Sequence, residues 1–254
     1  MASYRKPKNN MKKLSLLFTI ALLSLGLGSQ AKNPIRISAS HLLKEDRQVS
    51  NFNGIAIGGS LKVYVKLGNT ESLRLEGDQE AIDELTSEVK DGTLTIRPKR
   101  SQWKEWFKKF NNSKVTAYIT AKKLTSLAVS GSGNIEVEQA ISADAFSTAI
   151  SGSGNIKATV NCQSFQSSIS GSGVLNISGK AKTATVAISG SGNFNGRALS
   201  ADHVEAHVSG SGSIYIGAKE SLTAAISGSG NINYAGNPTI KKALAGSGKL
   251  RKTD

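Results

Sequence analysis

Two stretches of this chain combine residue types at spacings that could do chemistry. The first is Arg97-Pro98-Lys99-Arg100-Ser101-Gln102-Trp103-Lys104-Glu105-Trp106-Phe107-Lys108-Lys109-Phe110. Trp103, Trp106, Phe107 and Phe110 fall at i, i+3, i+4 and i+7, the spacing of one apolar stripe on a short helix. Lys104, Lys108 and Lys109 flank the stripe, while Arg97, Lys99 and Arg100 add charge where it begins. Aromatic planes on apolar faces, with Lys and Arg on acidic groups, would dock an anionic glycan, a lipopolysaccharide or another envelope surface. The candidate ligand-binding set is therefore Arg97, Lys99, Arg100, Trp103, Lys104, Trp106, Lys108 and Lys109. A competing reading makes the stripe a cover for an open side or end of a β-structure, since exposed strand edges need covering.

The second stretch, Asp202-His203-Val204-Glu205-Ala206-His207, has metal-binding residue types. On a strand, His203, Glu205 and His207 share one face, but residues i and i+4 there lie about 13 Å apart. That is too far for both imidazoles to reach one ion, and the order is not that of a helical H-E-x-x-H site. An exposed polar strand face is the better reading, with Val204, Ala206 and Val208 turned inward. Catalytic alternatives are weaker. Gly-Ser-Gly recurs seven times, whereas a serine nucleophile needs one activated copy beside a base. A polysaccharide lyase or hydrolase needs clustered carboxylates. From Val129 onward the acids are only Glu136, Glu138, Asp144, Asp202, Glu205, Glu220 and Asp254, and the position one repeat after Glu136 is Lys157. No enzyme activity, no cofactor and no metal is expected.

The elements that would position these residues follow from composition and repetition. The 254 residues hold 26 Gly but only 4 Pro, 6 % aromatics and one Cys, which excludes collagen and any disulfide framework. Residues 1–31 read as an export signal: Lys12 and Lys13, an apolar run from Leu14 to Leu27, then Ser29-Gln30-Ala31 as a small-x-small cleavage site. Met11 is an alternative start, which would make 1–10 an upstream extension. Cleavage lowers the net charge from +14 to +9, so much of the basicity belongs to the signal and a nucleic-acid partner loses its support. The mature chain is not expected to span a membrane; it would be periplasmic, on the outer cell surface or extracellular.

Ser-Gly-Ser-Gly begins at Ser130, Ser151, Ser170, Ser189, Ser209 and Ser227, with Ala-Gly-Ser-Gly at Ala245. The spacings run from 18 to 21 residues, the mark of stacked repeats. An apolar residue precedes every copy, from Val129 to Leu244, and another follows its last glycine by two, from Ile135 to Leu250. The alternation is that of strands. The expectation is an all-β parallel solenoid with coils of about 18–21 residues, glycines at the turns, serine hydroxyls bonding backbone at the corners, and Asn134, Asn155, Asn193 and Asn231 as a side-chain ladder. A linker would lack the regular Ile and Val partners, and a propeller blade needs about twice the period. The divisions are 1–31 signal, 32–49 N-terminal linker, 50–128 a β-rich lobe with one or two short helices, and 129–254 the Gly-Ser solenoid lobe. Within the first lobe, Ile82, Leu85 and Val89 predict a helix from Gln79 to Val89, with Asp78 as N-cap and Gly92 as its stop.

Phe52-x-x-Ile55, Asp91-Gly92-Thr93-Leu94 and the repeated Gly-Ser-Gly-Asn-Ile resemble the "putative auto-transporter adhesin, head GIN domain" family, common among exported proteins of Bacteroidetes. The resemblance covers about residues 50–250. It implies a right-handed parallel β-helix in two lobes and an adhesin role, and it carries no catalytic residues. The expected function is a secreted, non-enzymatic solenoid for adhesion or polysaccharide binding. The alternatives are a lyase-like carbohydrate enzyme and a structural envelope component whose solenoid ends self-associate as a homo-oligomer.

Overall fold

Apolar residues at every second position, interrupted by glycine pairs, leave this chain one economical way to bury its side chains, which is to wind and stack. The computed structural model describes residues 42–99 and 115–253, all within the compact unit Ser40–Asp254. The expected export signal at 1–31 and Arg100, Trp103, Lys104, Trp106, Lys108 and Lys109 of the basic aromatic segment lie outside the described residues.

The strands are β1 (Leu42–Arg47), β2 (Gly54–Gly59), β3 (Lys62–Leu67), β4 (Ser72–Asp78), β5 (Leu85–Lys90), β6 (Thr93–Pro98), β7 (Thr116–Ala121) and β8 (Ser126–Gly131). Five long bent strands follow: β9 (Asn134–Gly152), β10 (Asn155–Gly171), β11 (Val174–Gly190), β12 (Asn193–Gly210) and β13 (Ser213–Gly228). The chain closes with β14 (Asn231–Ala235), β15 (Thr239–Gly246) and β16 (Lys249–Lys252). From β9 to β13 each strand runs round most of one coil and pairs in parallel with the next. The protein is a parallel β-solenoid, as the repeat implied.

The motif explains itself in the turns. Gly171, the first glycine of its copy, has φ +114°, a conformation L side chains rarely adopt. A Cβ on Gly173, the second, would sit 2.5 Å from Ile150 Cγ2 and 2.7 Å from the Gly154 carbonyl oxygen. One glycine makes the corner and the other lets coils approach. The hydrogen bonds at these corners come from serine backbone N–H groups and not from the hydroxyls: Ser172 N–H donates to Gly152 O at 2.9 Å, and Ser191 N–H to Gly171 O at 2.9 Å.

Inward rows run the length of the stack. Ile135, Ile156, Leu175, Phe194, Ile214 and Ile232 form one, each within 2 % exposure; Val129, Ile150, Ile169, Ile188, Val208 and Ile226 form another. Phe165 is fully buried, its ring centroid 6.4 Å from Phe146 and 6.0 Å from Phe194. A single hydrophobic cluster extends from Phe52 to Ile232.

The N-terminal strands join this stack out of chain order. One side of the sheet runs β1-β4-β7-β3-β9; on the other, β2 lies between β6 and β8. The coil made by β2 and β3 is therefore inserted between strands that come later in the sequence. Two expectations change here. The stretch 32–49 contains a strand, because β1 pairs antiparallel with β4 from Leu42↔Asp78 to Arg47↔Leu73. The helix predicted over Gln79–Val89 stops early: α1 spans Gln79–Asp83, with Asp78 accepting from the Ala81 N–H at 3.2 Å as the expected N-cap. Leu85–Lys90 is instead β5, paired antiparallel with β6 across Asp91-Gly92. Both turn residues have positive φ (48° and 70°), which makes Asp-Gly a hairpin signal that outweighs the helical spacing. Arg47 ties this corner together, donating to the carbonyls of Ile82 and Leu85 at 2.9 Å each.

Candidate functional site

The residue five places after the first glycine of a motif falls on an outward row, although Asn233, the one after Gly228, is itself buried and donates to Ile214 O. Beginning from Gly59, this rule picks out Tyr64, Glu136, Lys157, Asn176, Asn195 and Tyr215, which the register sets side by side across β3 and β9 to β13. Tyr118 of β7 and Arg74 of β4 extend the row beyond Tyr64. Strand stacking fixes the repeat of such a row at about 4.8 Å.

Two tyrosine stations stand near the ends of this row. The Tyr64 and Tyr118 rings stack at 5.7 Å and 20°, with Lys62 Nζ 4.9 Å from the Tyr64 centroid. Hydrogen bonding to Tyr64 pushes the Lys62 ammonium above its ordinary pKa. At the other station Arg197 Cζ lies 4.0 Å from the Tyr215 centroid. Among the described residues neither cation has a carboxylate within ion-pairing distance. Between the stations Asn195 Nδ2 donates to Asn176 Oδ1 at 3.0 Å and Lys157 Nζ to Glu136 Oε1 at 2.7 Å. That ion pair raises the lysine's pKa and occupies the position where a lyase would need a second acid. Arg74 binds Asp46 at 2.8 Å and holds the carboxyl below the usual range. A cleft of about 870 Å³ opens beside Tyr64, Tyr118 and Arg74.

The Asn ladder is shorter than expected. Asn134, Asn155, Asn193 and Asn231 do share one row, but Val174 and Ser213 interrupt it. Only Asn155 Nδ2 to Asn134 Oδ1, at 2.7 Å, links two of the four directly. The Asn176–Asn195 pair lies in the next outward row.

His203, Glu205 and His207 lie on β12 with Val204, Ala206 and Val208 buried between and beyond them. The histidines face different partners: His203 lies 3.0 Å from Ser221 Oγ and 3.5 Å from Glu220, while His207 lies 3.1 Å from Glu205. Among the described residues no group of three His, Cys, Asp or Glu is placed to hold a metal. Cys162 is half-buried in a groove of about 1590 Å³, and burial pushes its thiol pKa up. Of the basic aromatic segment, Arg97 lies on β6, its carbonyl accepting from Thr86 Oγ1 at 3.1 Å, and Lys99 N–H donates to Glu84 O at 2.9 Å. Residues 100–114 continue the chain from there to β7. Sequence reasoning missed the tyrosine row, although the fixed offset from each glycine was there to find it.

The family model described as "Putative auto-transporter adhesin, head GIN domain" matches residues 51–238. The chain is similar to a "putative adhesin" from Bacteroides fragilis, at 29 % identity and a TM-score of 0.74, covering 84 % of this chain and 97 % of that one. It is similar also to a "putative lipid binding protein" from Parabacteroides distasonis, at 25 % identity and a TM-score of 0.68, covering 84 % and 96 %. A second protein from that organism, called a "putative adhesin", shares the fold at 21 % identity and a TM-score of 0.66, covering 85 % and 98 %. No curated protein matches the chain. Among the described residues no helix is long and apolar enough to cross a membrane.

Proposed function

The chain belongs to the "putative auto-transporter adhesin, head GIN domain" family, and on that premise we propose that it is an exported, non-enzymatic binding protein that holds an acidic polysaccharide along its solenoid face. The outward row carries this reading. It offers two tyrosine–cation stations, Lys62 with Tyr64 and Arg197 with Tyr215, joined by the amides of Asn176 and Asn195. Five strand steps separate the stations, a span of about 24 Å. An extended acidic glycan is itself periodic: its sugar rings stack on tyrosine, its carboxylates pair with Lys62 and Arg197, and its hydroxyls bond the amides. Arg97, Lys99, Arg100, Trp103, Lys104, Trp106, Lys108 and Lys109 supply a second contact of the same chemistry.

The test is calorimetric titration with polygalacturonate, alginate and a neutral glucan. Saturable, salt-sensitive binding of the acidic polymers is expected, weakened at least tenfold by Tyr64→Ala with Tyr215→Ala. Binding that ignores both tyrosines but vanishes with Trp103→Ala would move the site to the aromatic segment. No binding to any acidic polymer would refute the proposal, and cleavage of one would refute its non-enzymatic part.

A further inference from the structure

The stack's last coil is unlike the others. Every residue of β15 is exposed, although Ile240 and Leu244 continue inward rows; they are 39 % and 44 % exposed. Among the described residues no strand pairs with the outer edges of β15 and β16. Around this open end stand Lys241, Lys242, Lys249, Arg251 and Lys252, and the sequence has no acid between Glu220 and Asp254. Lys252 Nζ donates to Asn237 Oδ1 at 2.6 Å; none of the five has a carboxylate partner among the described residues.

Two of these lysines occupy inward rows. Val186, Ala206 and Ala224 are followed in register by Lys242, and Gly196, Ile216 and Tyr234 by Lys252. Stacking a second copy on this end would drive both ammonium groups against an apolar core, Lys252 with only the Asn237 amide oxygen and neither with a carboxylate, which is strongly unfavourable. Inward-pointing charges are a known way of blocking edge-to-edge extension. An anionic surface reverses the balance, because it neutralises all five cations while Ile240 and Leu244 lose water. The unpaired backbone of β15 and β16 could not enter hydrocarbon. At headgroup depth it can bond phosphate oxygens and water.

We propose that the C-terminal end of the solenoid is a docking surface for an anionic lipid bilayer, with Lys241, Lys242, Lys249, Arg251 and Lys252 on the headgroup phosphates and Ile240 and Leu244 at the interface. Arg251 ends the outward row two strand steps beyond Tyr215, but the other six residues lie off that row, so vesicle binding tests this surface apart from the glycan reading.

The experiment is co-sedimentation of the full chain with phosphatidylcholine vesicles and with vesicles containing phosphatidylglycerol. The quantity read is the ratio of the two partition coefficients. Apolar residues elsewhere in the chain act on both vesicle types, so the ratio isolates the charged contact. Each lysine or arginine at an anionic surface contributes about fivefold. Lys241→Gln, Lys249→Gln and Arg251→Gln together, all at outward positions, should therefore lower the ratio about a hundredfold while leaving circular dichroism unchanged. Ile240→Ser with Leu244→Ser should lower anionic binding severalfold and keep its salt dependence. An unchanged ratio in the triple variant overturns the proposal. So does a ratio lost through Trp103→Ala with Trp106→Ala but indifferent to the tip, or a tip variant that alters oligomeric state and not vesicle binding.

Discussion

Gly171→Ala is the sharpest test of the stacking argument. Gly171 holds φ +114°, and forcing a residue with a Cβ into such a region costs about 1–3 kcal/mol. The new Cβ would also stand 2.5 Å from the Gly152 carbonyl oxygen and 3.2 Å from the Gly152 carbonyl and α carbons, all backbone atoms that cannot rotate away. Relief requires β9 and β10 to part at this corner, which loosens the bond from Ser172 N–H to Gly152 O. The corner cannot shift the other way, because Gly190 rests on Gly171 as closely: a Cβ there would meet Gly171 O at 2.7 Å. Adding about 1 kcal/mol for the weakened Ser172–Gly152 bond brings the expected loss to about 2–4 kcal/mol. Urea unfolding followed by far-ultraviolet circular dichroism measures it. The control is Ser172→Ala, an exposed neighbour in the same motif, whose cost should stay within about 0.5 kcal/mol. A Gly171→Ala protein that unfolds with the control, within that margin, would refute the claim that the motif is a steric requirement of the stack.

Phe165→Ala removes a fully buried ring that touches Phe146 and Phe194, and should cost about 3–5 kcal/mol in the same unfolding assay. The Cys162 thiol, raised by burial, should alkylate with iodoacetamide more slowly than free cysteine at mildly alkaline pH and reach the free rate in urea. Asp46 should titrate below an ordinary carboxylate by NMR and return upward in Arg74→Gln. Because its folded pKa is depressed, the stability it contributes is present above the unfolded pKa and is lost as pH falls through the folded one.

The repeat made much of this protein legible without coordinates. A glycine pair every 18–21 residues, with an aliphatic residue just before and two after, has one compact solution, since no single coil can bury its own apolar edge. The same arithmetic placed Lys157 opposite Glu136 and turned Val204, Ala206 and Val208 inward, and the structure has all four there. Local rules also found the Asp78 N-cap. What they misjudged was Leu85–Lys90, whose apolar residues fit either period; only pairing with β6 decided for strand.

The rest belongs to tertiary structure because coil length varies. The register slips between Lys157 and Thr159, and again between Asn176 and Ser178, so a fixed period aligns the rows beside the glycines and loses those beyond the bulges. The insertion of β2 and β3 between later strands, which brings Tyr64 beside Tyr118, has no local signal, for it depends on which strand edges remain free once the coils close. The open basic end is decided the same way. Lys242 and Lys252 read as ordinary surface lysines until stacking places them on inward rows with no further coil paired to them among the described residues. Sequence alone determined that the chain winds and where it turns, because turns and alternation are local. Which side chains meet across coils was left to the packed stack, because lateral register is a sum over every coil's length.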